Sequence, residues 1–186
     1  MDERAIREIV ARRAEELGSR VSPRDVKLEF MEGEAAPGCR LFHASWGAGR
    51  RERWLSGLVQ EGEAADTYPA QALAKVFRRW TEAEGGMPDA RHAAEVAAYV
   101  FDPAARHEPI LSEGDAARLV ERGEWLRHVR PPSLVEVEGR PGVAFWWAGP
   151  RGVSEVRLYL DADGRIRSGE KLIQEFLRGG EADDAP

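Results

Sequence analysis

The side chains with the most chemistry in this sequence are four histidines, one cysteine and a set of tryptophans, and their spacing limits what they can do. A metal site needs several His, Cys or carboxylate ligands converging on one ion. His43, His92, His107 and His128 are scattered without ligand spacing. Nucleophilic catalysis needs a thiol or hydroxyl beside a base. Cys39 and His43 share one face of an alternating segment at about 13 Å, beyond hydrogen-bond reach, so Cys39 reads as a buried, inert thiol. Asp161 and Asp163 beside Gly164 suggest the start of a calcium loop, but Leu172 stands where that loop requires its Glu, and a hairpin turn explains them. There is no phosphate loop, dinucleotide fingerprint, H-E-x-x-H, C-x-x-C or G-x-S-x-G, and no cofactor is expected.

The aromatic residues say more. Trp146 and Trp147 are consecutive in an alternating segment, so they point to opposite faces of a strand. Only one of them fits a helix-covered core; the other is left for the surface or a partner. Trp54 and Tyr159 lie among Arg51, Arg53 and Arg157, and Trp, Tyr and Arg dominate the energetics of protein interfaces. These seven residues, Trp146, Trp147, Trp54, Arg51, Arg53, Arg157 and Tyr159, are the candidate binding set. Two sheets packed on both faces would instead bury every tryptophan. Leading is a non-enzymatic binding module for a protein or peptide, of immunity, adaptor or chaperone type, using a sheet face or edge strand. The alternative is a small-molecule binding protein or unrecognised enzyme, with a pocket between sheet and central helices where Trp46, Trp54, His43 and Tyr99 meet. Unpaired sheet edges also allow a homodimer.

Composition narrows the partners. The chain has 186 residues, 27 basic against 33 acidic side chains and a formal net charge of −6, so a nucleic acid is not expected. No apolar run is long enough for a membrane helix, the N-terminal residues lack the pattern of a secretion signal, and a single cysteine fits a reducing, cytoplasmic setting. Basic charge is almost all arginine and asparagine is absent, a usage suited to a GC-rich bacterial genome.

The elements that must position these residues follow from periodicity. Ile6, Ile9, Val10, Ala14 and Leu17 mark a helix over 3–17, capped by Asp2. The period then shortens to two, predicting strands at 26–30, 39–46 and 51–60. Leu73, Val76, Phe77 and Trp80, after Pro69, predict a helix; Ala93, Val96, Ala97 and Val100 predict a second over 88–101; Ala116, Leu119 and Val120 predict a third over 113–126 behind Ser112. Strands return at 134–138, 143–148 and 153–160, and Leu172, Ile173, Phe176 and Leu177 predict a last helix over 169–178.

The expected class is α+β: two antiparallel meanders of three to four strands, each behind a helix, joined by a central helical section, with a possible internal duplication. The units are 1–66, 67–126 and 127–178, followed by an acidic, disordered tail over 179–186. Ser112 to Ala117 opening a helix, with Leu158 to Gly164 nearer the end, resembles a PepSY-type repeat in outline.

Overall fold

The computed structural model describes residues 2–83, 86–120, 128–149 and 152–175. The expected start is met: α1 (Glu3–Glu16) begins where the Asp2 carboxylate accepts the Arg4 amide, and it buries Ile6, Val10, Ala11 and Ala14. β1 (Lys27–Phe30), β2 (Cys39–Trp46) and β3 (Arg53–Gln60) form an antiparallel sheet in that order. Two helices follow, α2 (Pro69–Glu82) and α3 (Ala90–Phe101), and each buries the stripe its spacing predicts. Beyond the short β4 (Glu108–Ile110), α4 (Glu113–Val120) opens on a reciprocal cap: the Asp115 amide donates to Ser112 Oγ, and the Ser112 hydroxyl donates to the Asp115 carboxylate at 2.8 Å. That cap holds the Asp115 carboxyl below the usual range, chiefly through Ser112. The helix expected over 113–126 is described only to Val120, and 121–127 lie outside the described residues.

The second sheet comprises β4 with β5 (Ser133–Val137), β6 (Arg140–Gly149), β7 (Gly152–Leu160) and β8 (Ile166–Glu175). β6 takes both β4 and β5 on one side and β7 on the other, and β8 is the far edge. The helix expected over 169–178 is therefore corrected: its part within the described residues is strand. The cause lies just before it. Asp161 Oδ1 accepts the amides of Asp163 and Arg165, both at 2.9 Å, and Gly164 takes φ +70°, closing a hairpin that returns the chain along β7. Pairing from Leu160↔Ile166 to Gly152↔Glu175 outweighs the local helical spacing. The remainder of that expected helix, and the acidic tail, lie outside the described residues.

The two sheets share one helical layer. Leu41 and Leu58 of the first sheet, Leu73, Val76 and Phe77 of α2, Val96 and Val100 of α3, and Val143, Phe145, Val156 and Leu158 of the second sheet form one buried cluster. The other face of the first sheet, with Phe42, Ala44, Trp46 and Leu55, packs on α1. The other face of the second sheet buries Trp146 and Val153 under Ile110, Ala116 of α4 and Val129. The order of layers is thus α1, sheet, α2 with α3, sheet, α4. Among the described residues no helix is long and apolar enough to cross a membrane.

Candidate functional site

The seven candidate residues do not gather in one place. Trp146 and Trp147 do point to opposite faces of β6, but both faces are covered, and the two rings are only 9% and 8% exposed. Of the two alternatives, one surface tryptophan or coverage of both faces, the second is found, because α4 covers the outer face at that end of the sheet. Trp54 is half-buried on the α3 side of β3, while Arg53 is exposed and points the other way; Arg51 is exposed in the 3₁₀ turn Gly49–Arg51. Arg157 and Tyr159 are the two that remain together on an accessible surface, the outer face of β7.

The shared pocket of Trp46, Trp54, His43 and Tyr99 does not form. Trp46 packs on α1, whereas His43 faces α3, one strand face away. The His43 and Tyr99 rings stack directly, with centroids 3.6 Å apart, which leaves no room for a ligand between them. His43 Nε2 donates to the Tyr99 carbonyl at 2.6 Å, and Ser56 Oγ donates to the Val100 carbonyl at 2.7 Å. Both satisfy carbonyls that the C-terminus of α3 leaves without helical partners. Burial pushes the His43 pKa down and that of the Tyr99 hydroxyl up to about 12. This cluster is a helix-capping device. Cys39 is fully buried nearby on the same strand face, and burial raises its thiol pKa.

A second histidine site was not legible in the sequence. Asp102, the cap residue at the end of α3, accepts the His107 backbone amide, and its carboxylate lies 3.2 Å from His107 Nδ1. The ring contact is within ion-pair distance yet too poorly aligned for a hydrogen bond, because the same oxygen already faces the amide. His107 stacks on Trp147 at 4.5 Å, and the Trp147 indole N–H donates to Glu170 at 3.2 Å, reaching across β7. An Asp–His pair is the orienting half of a catalytic triad. Here, however, a Cβ added to Gly149 would sit 2.7 Å from His107 Nε2, so the nitrogen a triad would use is packed against backbone. Among the described residues no Ser, Thr or Cys side chain hydrogen-bonds His107. The pair positions Trp147.

The sheet edges differ more than the pockets do. On β3, Asp66 fills both backbone positions opposite Leu58, with N–H to carbonyl distances of 2.8 Å in each direction. On β1, four residues long, the Glu29 carbonyl accepts the Tyr99 hydroxyl at 3.0 Å. β8 is ten residues long, and among the described residues it pairs with β7 alone. The outer face beside it carries Tyr159 opposite Arg167 and Glu155 opposite Lys171, with Arg157 between. Glu155 is already held by Arg157 at 2.7 Å. A helical reading of 169–178 hides the period-two relation of Lys171 to Arg157 and Tyr159, and Arg167, just before that span, joins them only through the register of β7 with β8.

No family model, curated protein or solved structure matches this chain, so the PepSY-type outline gains no support from relatives.

Proposed function

We propose that this chain is a non-enzymatic, cytoplasmic binding module that takes an extended, acidic segment of a partner protein onto the open edge of β8. The observation that supports it most is a contrast of edges: Asp66 bridges β3 at Leu58 and β1 is only four residues long, while β8 offers a ten-residue run that among the described residues pairs with β7 alone. An added strand gains main-chain hydrogen bonds from such an edge, and side chains beside it select the partner. Arg157, Arg167 and Lys171 share the adjoining face with two carboxylates, Glu155 held by Arg157 and Asp161 held by Arg167, a cationic excess in a chain of net charge −6. That sign favours an acidic segment and opposes edge-to-edge pairing of two copies, which would bring like charges together.

The test is capture from native lysate on the intact chain, followed by titration of extended segments of the captured protein as peptides. The expected result is protection from amide exchange concentrated on β8. Binding should weaken about tenfold or more in an Arg157→Glu, Lys171→Glu double variant whose melting midpoint is unchanged. Equal binding by that variant, or protection elsewhere than β8, overturns the proposal. A binding signal between two copies of the chain, seen by light scattering, replaces the partner segment with a homodimer.

A further inference from the structure

Between α2 and the turn joining β7 to β8 lies an open cleft of about 480 Å³. That volume is within the range of small-ligand sites. Four of its lining side chains are cations, Lys75 and Arg78 from the helix and Arg165 and Arg167 from the hairpin, and no acidic side chain lines it. Carboxylates outside the lining hold two of the four. Lys75 Nζ is 3.2 Å from Glu63 and 3.5 Å from Asp66, and Arg167 Nε is 2.7 Å from Asp161. Arg78 and Arg165 are exposed and make no ion pair among the described residues. In a chain with more acidic than basic residues, two guanidiniums left together without a counter-ion are not explained by the packing around them.

We propose that this cleft binds a phosphomonoester carried on an apolar body. A guanidinium offers a planar fork of donors that matches phosphate or carboxylate oxygens in pairs. Two unneutralised forks on opposite walls match a dianion better than a single carboxylate, and a phosphomonoester carries close to two negative charges at neutral pH. The apolar body has its own surface, formed by Ala74 of α2 and Ile166 of β8. Gly164 keeps the hairpin wall open: its φ is +70°, and a Cβ there would lie 3.1 Å from Arg78 Nη2. The inference shares Ile166 and Arg167 with β8 but does not depend on its reading as a docking edge, since it rests on Arg78 and Arg165 and uses no unpaired strand backbone.

The experiment is a two-dimensional NMR titration of the full chain with phenyl phosphate, phenylacetate and inorganic phosphate. Phenyl phosphate is expected to give saturable amide shifts confined to 74–78 and 164–167. Its affinity should exceed that of phenylacetate, which has the same ring with a single charge, by about tenfold, and inorganic phosphate should bind the same amides more weakly. An Arg78→Gln, Arg165→Gln double variant should lose about tenfold or more in affinity, with its melting midpoint and remaining amide positions unchanged. Shifts that do not saturate, phenylacetate binding as tightly as phenyl phosphate, or a double variant that binds like the wild type each overturn the site. Loss of binding to this probe with β8 still protected by a partner segment would remove the anion site alone.

Discussion

The two sheets of this protein are built on one plan and finished differently. Each has a helix on its outer face, α1 for the first and α4 for the second, and each turns its inner face to α2 and α3. In the first sheet α1 covers Phe42, Ala44, Trp46 and Leu55, Asp66 bridges the outer strand β3 at Leu58, and the outer strand β1 is only four residues long. In the second, α4 covers the end near Trp146, while Arg157, Arg167 and Lys171 stay exposed beside β8, which among the described residues pairs with β7 alone. A bridge from within the chain blocks strand addition at that point, and a short strand offers a partner few backbone positions. The proposal of a docking edge on the β7–β8 hairpin rests on this difference.

The comparison breaks most visibly where the two sheets share their core. Leu158→Ala, at a fully buried position, should cost about 2 to 4 kcal/mol, and Leu41→Ala on the first sheet a similar amount, because both line the α2–α3 layer. Denaturant midpoints at constant m-value check this; a large loss for one and none for the other would show that the halves do not share a core. Next comes glycine at the two kinds of edge. On β3, a Cβ added to Gly57 would meet the Phe42 ring and approach the Asp66 carbonyl oxygen to 2.7 Å. Gly57→Ala should cost about 1 to 3 kcal/mol and loosen the Asp66 bridge. On β8, Gly169 has open space where its Cβ would go, so Gly169→Ala should stay within about 0.5 kcal/mol of the parent.

A smaller effect sharpens the role of His43. Its folded-state pKa lies below the ordinary value of 6.5, with burial the first cause, so the unfolded chain binds the proton more readily. Stability is then retained above pH 6.5 and lost as pH falls below it towards the folded pKa. Thermal melts from pH 7.5 to 5 should show this slope, and His43→Gln should flatten it. An unchanged slope in that variant would place the titration elsewhere.

The parts of this fold that were legible in the sequence depend on near neighbours. Asp2, Ser112 and Asp115 cap their helices as their spacing implies, and the apolar stripes of α1, α2 and α3 all face inward. Alternation correctly divided Phe42, Ala44 and Trp46 from Leu41 and His43. Of the binding candidates, Arg157 and Tyr159 lie together on an accessible surface, whereas Trp146 and Trp147 are both covered. The choice between exposure and coverage was beyond the local pattern: alternation shows that adjacent residues take opposite faces, but not whether each face is covered.

The sequence by itself thus determined where the chain turns from a period of 3.6 to a period of two, how most helices begin, and which side chains share a face. These follow from contacts a few residues apart, and outside 169–178 the described residues keep them. Tertiary structure decided the rest. It made a strand of Ile166–Glu175 because β7 was already in place to pair with it. It covered both tryptophans by laying helices on both sides of β6, and it brought Arg78 to Arg165 across more than eighty residues of chain. Pairing, coverage and the meeting of distant charges each depend on a partner that the local sequence does not contain.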